Sequence, residues 1–214
     1  MAPVPLSVMR EGPVFFGLSI SFTVMVTIDQ LIVGKMMRYD DLAVYATIFA
    51  VMKAFDFLFQ ATAYVLMPRV NAMRTISLSR LNLSMAAAAV ALAVAYLVLG
   101  DDVVHLLYGG RYDQGTILIV PFVVAGVFKL FYALPTSIIG GRLPMKALRQ
   151  FLWFNLAGMA LNVGLDIVLI REHGLLGAAV ATAIAWAVRL TGGYLVVLMN
   201  RSHLAPIPAE VVEM

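Results

Sequence analysis

Three basic side chains, Lys53, Lys129 and Arg189, fall near the middle of three separate apolar stretches of this 214-residue chain. Three carboxylates, Asp29, Asp56 and Asp166, lie inside apolar stretches as well. A charge at the centre of a bilayer costs from about 3 kcal/mol to more than 10, so such a residue faces a wet cavity or a partner and not lipid. Cations with few partners at that depth suit a cavity that receives an anion. Acids there suit the binding of a proton or a sodium ion, because their proton affinity responds to desolvation and to nearby cations.

The elements that must carry these charges are membrane spans. Hydrophobic residues make up 62% of the chain and charged ones 13%. A soluble domain is nearer half apolar and a quarter charged, so the composition reads as an all-α integral membrane protein. The absence of cysteine excludes a disulfide framework and thiolate metal sites. Met1 to Met9 holds no basic residue, and the first apolar run, from about Pro13 to Met37, contains Asp29. It reads as a first transmembrane helix, not as a cleaved export signal.

A span needs roughly 20 mainly apolar residues, which places six helices at about 14–37, 42–67, 81–99, 116–139, 151–170 and 175–199. Between them stand Arg38-Tyr39-Asp40-Asp41, Pro68-Arg69, Gly100-Asp101-Asp102, Gly140-Gly141-Arg142 and Arg171-Glu172-His173-Gly174. Pro121 and Pro135 are expected to kink the fourth span. Arg10, Arg69, Arg74, Arg80, Arg142, Lys146, Arg149 and Arg201 collect at one end of the spans. Lys35, Arg38, Arg111 and Arg171 at the other end are accompanied by acids. The first end is therefore cytoplasmic, with both termini inside and residues 201–214 as a cytoplasmic tail. Small residues recur every four positions at Gly174, Ala178 and Thr182, at Gly177, Ala181 and Ala185, and at Ala87, Ala91 and Ala95, as packing seams do.

At 1.5 Å of rise per residue, Lys53, Asp56, Lys129 and Arg189 lie within a few ångströms of the midplane, with Asp29 and Asp166 roughly 6–8 Å toward the outer face. Lys53, Asp56, Gln60 and Tyr64 fall along one helix face, the pattern of a lining for a hydrated path. Two readings stand. In the first, the charges pair, Asp56 with Lys53, and Asp29 and Asp166 with Lys129 or Arg189. In the second, the cations line an anion-receiving cavity, and the three aspartates serve ion coupling.

The stretch from Asp101 to Gln114 is too apolar for a plain loop and too short for a span, and is expected to form an interfacial helix. Asp101, Asp102 and His105 resemble a metal cluster, but helix capping is the preferred reading, and no metal site is expected. His105, His173 and His203 are scattered among loops and tail, so the chain offers no catalytic constellation and is not expected to be an enzyme.

Asp29-Gln30-Leu31-Ile32-Val33-Gly34, an acidic loop, Tyr45 and Pro68 follow one another in the first two spans. Leu107-Tyr108-Gly109-Gly110-Arg111-Tyr112 precedes the fourth span, and Gly174-Leu175-Leu176-Gly177-Ala178-Ala179-Val180-Ala181-Thr182 opens the sixth. In order and spacing these resemble the C-terminal six-helix half of polysaccharide flippases of the multidrug/oligosaccharidyl-lipid/polysaccharide (MATE-like) superfamily. The resemblance implies translocation of polyprenyl-pyrophosphate-linked oligosaccharide across the inner (plasma) membrane for polysaccharide biosynthesis. Lys53, Lys129 and Arg189, with Gln60, would then meet the pyrophosphate. Asp29 matches a recurring acidic position of the pattern. Ala43 departs from it, standing where glycine is frequent. Members of the family have about twelve helices in two parallel halves around a central cavity, so a homodimer or a separate N-terminal half is the expected partner, besides membrane lipid. No cofactor or nucleic acid is expected, and the coupling ion is H+ or Na+. The alternatives are a cation-coupled drug exporter of the same superfamily, or a non-transporting assembly subunit or truncated fragment.

Overall fold

Backbone groups in apolar surroundings must satisfy their own hydrogen bonds, and this chain does so by coiling almost throughout. The computed structural model describes residues 6–72 and 78–204, and every element among them is helical. The order is α1 (Leu6–Met36), α2 (Tyr39–Val51), α3 (Lys53–Ala72), α4 (Leu78–Tyr108), α5 (Ile119–Arg142) and α6 (Met145–Met199), with short 3-10 turns at Asp113–Leu118 and Arg201–Leu204. Four of these helices are long and apolar enough to cross a membrane, or five if α2 and α3 form one bent span. Several long apolar helices of this kind mark a membrane-associated protein. Arg74 and the tail beyond Leu204, both used in the charge reading, lie outside the described residues.

The 55 residues of α6 do not run straight. Gly174 adopts φ 59° and ψ −137° within it, a backbone conformation open mainly to glycine. Beyond it the second arm, residues 175–199, returns along the first, residues 145–173. At the turn, a Cβ on Gly177 would lie 2.0 Å from the Leu169 carbonyl oxygen. At the far end, the Asn200 amide donates to Gln150 at 3.2 Å. The two expected spans are therefore one helical hairpin, each arm long enough to cross the hydrocarbon layer.

The second expected span is broken, with a bend of 40° between α2 and α3. The break at Met52 frees the carbonyl of Val51, and the Tyr96 hydroxyl of α4 donates to it at 2.6 Å. Pro68 does not close this span as expected, because α3 continues through it to Ala72. The expected interfacial helix at Asp101–Gln114 is not separate either. No breaker follows Gly100, which is buried against Ile119, so α4 runs on to Tyr108. Gly109 and Gly110, both with positive φ, then turn the chain. Helix α5 continues through Pro135.

At the centre stands α5, packed against α3, α4 and both neighbouring faces of α6, while α1 lies mainly on α6. The small residues Gly177, Ala178, Ala181, Thr182 and Ala185 are buried and let the hairpin close. Ala87, Ala91 and Ala95 are exposed, so the seam read on α4 is not used within this chain.

Two glycine substitutions test the hairpin. Gly174→Ala should cost about 1–3 kcal/mol through backbone strain alone. Gly177→Ala should cost at least as much, because its methyl group meets backbone and not a movable side chain. Thermal unfolding in detergent measures both, and wild-type stability in Gly177→Ala would show that the arms are not this close.

Candidate functional site

Helix α1 presents one buried ridge at four-residue spacing, Ser21, Met25, Asp29 and Val33, each no more than 1% exposed. The first arm of α6 answers with Asn155, Asn162 and Asp166, also fully buried. Where they meet, the Asn162 amide donates to Asp29 and, at 3.3 Å, to Asp166. Thr182, on the second arm, donates its hydroxyl to Asp29 at 2.6 Å, and the Tyr45 hydroxyl of α2 reaches Asp29 at 3.4 Å. One amide thus ties two carboxylates together in the buried interior. Asp166 Oδ1 and Asn162 Oδ1 have no hydrogen-bond partner there. Two buried acids beside an orphaned amide oxygen can share a proton or hold a small cation.

This geometry overturns the simple pairing of the six charges. Neither Asp29 nor Asp166 forms an ion pair with Lys129 or Arg189 among the described residues; Asp29 faces amide and hydroxyl groups and Asp166 the Asn162 amide. Nor does Asp56 neutralise Lys53, one turn away on α3. Its carboxylate takes the Lys129 ammonium of α5, a buried ion pair whose side chains are 15% and 8% exposed. Lys53 projects outward and makes no ion pair among the described residues.

Arg189 is the deepest cation, 1% exposed, and has no carboxylate partner among the described residues. Its Nε donates to Asn155 Oδ1 at 2.7 Å, Nη2 donates to the same oxygen, and Nη1 approaches Met25 Sδ at 2.7 Å. Tyr132 also donates to Asn155 Oδ1. The guanidinium lies over Tyr132 and Trp186, at 5.4 and 4.9 Å from the ring centroids. Trp186 meets a second cation, Lys129, at 4.7 Å. Neutral acceptors and ring faces hold the charge of Arg189 in place without cancelling it.

Arg189 forms part of the wall of a cleft of about 410 Å³ that also includes Ser19, Thr23, Gln60, Thr136 and Asn155. A second space, of about 430 Å³, adjoins it along α1 and α3, lined by Thr23, Thr27, Lys53, Asp56 and Gln60. The Phe22–Phe59 stack, at 5.4 Å, joins the two helices beneath this groove. The face read on α3 is therefore real for Lys53, Gln60 and Tyr64, which all stand exposed along the groove or cleft. Lys129 does not reach it; the amine sits behind Asp56.

No protein-family model, curated protein or solved structure matches this chain. Sequence reasoning singled out Asp29, Asp166 and Arg189, and placed Tyr45 in the same motif as Asp29, but missed Asn155, Asn162 and Trp186. A signal was present for the amides, since Asn155, Asn162 and Asp166 repeat at seven and four residues on one face of an apolar helix.

The ion pair can be checked by a double-mutant cycle. Lys129→Met alone strands a part-buried carboxylate and should cost about 1–3 kcal/mol, whereas Lys129→Met with Asp56→Leu should be close to neutral. Thermal unfolding in detergent reads both, and equal losses in the single and double variants would break the pairing.

Proposed function

We propose that the chain is one six-span half of a flippase that carries a polyprenyl-pyrophosphate-linked oligosaccharide across the plasma (inner) membrane. The two arms of α6, the bent α2–α3 pair, α1, α4 and α5 make up the six spans. Both termini lie on the cytoplasmic side, with Arg69, Arg80, Arg142, Lys146, Arg149 and Arg201.

The observation that carries the reading is Arg189. A buried guanidinium without a carboxylate, held by an amide and two ring faces beside a cleft, is arranged for an anion that arrives from elsewhere. A guanidinium matches a phosphate group through parallel hydrogen bonds, while Lys53 adds a mobile point charge at the rim of the neighbouring groove. Gln60, shared by both spaces, adds a neutral donor. Lys129 serves a different part, locked to Asp56.

Asp29 and Asp166, with Asn162 and Thr182, supply the coupling site. Two carboxylates bridged by one amide are best neutralised by H+ or Na+, and the two orphaned oxygens are free to meet it. Movement of such an ion down its gradient would drive the lipid-linked sugar across. A drug exporter of the same superfamily shares this site, but the cleft itself is dominated by Arg189 and not by acid, which supports an anionic cargo.

The groove between α1 and α3 is open on one side and carries Lys53, a residue too polar to face lipid. Its cover is a second six-helix bundle, either a copy of this chain or a separate N-terminal half, related by an axis along the membrane normal.

Replacing the guanidinium tests the reading. Arg189→Gln should weaken binding of a polyprenyl pyrophosphate in nanodiscs by about tenfold to a hundredfold, the range expected for a lost charge-assisted hydrogen bond. The same variant should fail to restore growth of a flippase-deficient strain. Unchanged binding would remove the anion from the cleft.

A further inference from the structure

The groove and the acidic cluster are separated by very little. Asp56 has two faces. One lines the groove with Lys53 and Gln60. The other closes a small internal cavity of about 20 Å³, bounded by Phe49, Phe55, Lys129, Thr182 and Trp186 among others. Thr182 in turn donates to Asp29 at 2.6 Å. From groove to buried carboxylates the polar sequence is therefore Asp56–Lys129, the cavity, Thr182 and Asp29.

The size of this cavity matters. A water needs about 10–15 Å³ of such volume and two to four polar partners. Asp56, Lys129 and Thr182 are three, so the space suits one water and is too small for a hydrated ion. A cation moving inward would also meet the like charge of Lys129 head-on. Entry therefore requires the Lys129–Asp56 contact to part and the ammonium to swing aside. Its contact with the Trp186 ring, at 4.7 Å, keeps part of its stabilisation available while the carboxylate is released. The apolar cavity on the other side of α5 and α6, lined by Phe128, Val180 and Ile184, offers an ion no polar group apart from Thr191.

We propose that the Asp56–Lys129 ion pair is the gate between the open groove and the buried carboxylates, parting to admit the coupling cation toward Thr182, Asp29 and Asp166. This rests on the reading of Asp29 and Asp166 as the coupling site and of the α1–α3 groove as wet. It gives Lys129 a part that direct contact with an anionic cargo does not.

The chain has no cysteine, so single thiols can be placed without a background. Ala125, 4% exposed, lines the small cavity, and Gln60 stands exposed in the groove. Ala125→Cys and Gln60→Cys are made separately, reconstituted in nanodiscs and treated with Ag+, a thiol-reactive cation small enough to follow the proposed route. Gln60→Cys should react readily and Ala125→Cys slowly. Adding Lys129→Met to Ala125→Cys should speed its labelling by about tenfold or more, a barrier change near 1.4 kcal/mol. The exchanged pair Asp56→Lys with Lys129→Asp should restore the slow rate. If Lys129→Met does not assemble, Asp56→Asn with Lys129→Gln removes both charges and should give the same acceleration. Labelling of Ala125→Cys that ignores the pair, while Gln60→Cys still reacts, overturns the gate and leaves the proposed function standing. An unreactive Gln60→Cys means that the groove is dry, which overturns the gate and the wet, cargo-receiving groove together.

Discussion

The constraint on which this structure turns is the cost of an ion in an apolar interior. Each buried charge must find a counter-charge, a set of dipoles, or a ligand. The chain uses the first two in one small region, beside a third group of charges left partly unpartnered. Lys129 and Asp56 cancel each other across α3 and α5. Arg189 is held by the Asn155 amide and the faces of Tyr132 and Trp186. Asp29 and Asp166 share the Asn162 amide, and Asp166 Oδ1 and Asn162 Oδ1 are left without hydrogen-bond partners. The first arrangement is closed and the other two are unfinished. It is the unfinished ones that carry the functional proposal.

Trp186 organises this region. Its ring meets Lys129 on one contact and Arg189 on another, at 4.7 and 4.9 Å. An indole attracts both cations and separates them, with each contact contributing about 0.5–2 kcal/mol. The ring also packs edge-on against Tyr132 and Phe22, which stand at the cleft. Both cations thus share one ring that packs on the cleft wall. Glycines allow close packing around this region. Gly126 of α5 lets Phe55 sit directly against the helix backbone, and Gly158 gives the Arg189 stem room between the arms of α6.

Much of the fold was legible because the demand on a membrane helix is simple. Apolar runs of sufficient length predict α1, α4, α5 and the two arms of α6 near their observed positions. The boundaries that failed did so where a tertiary contact replaced a local signal. The chain breaks at Met52 because Tyr96 from α4 accepts the task of satisfying Val51. The helix ignores Gly100 because Ile119 fills the space beside it. At the site, residue type was enough to single out Asp29, Asp166, Arg189, Lys53 and Gln60. Partner choice was not legible, since Asp56 stands one turn from Lys53 yet pairs with an amine 73 positions away.

By itself the amino-acid order determined an all-helical, membrane-associated chain with charges placed inside its apolar helices. Those features follow from the local balance of apolar and polar side chains, which needs no neighbour to be read. Only the tertiary structure decided which charges cancel and which remain open. An ion pair or a shared amide forms according to distances between helices that the linear order does not encode. Asn162 became a bridge, Trp186 a divider and Asp56–Lys129 a closed pair because α1, α3, α5 and the folded-back α6 converge on one point.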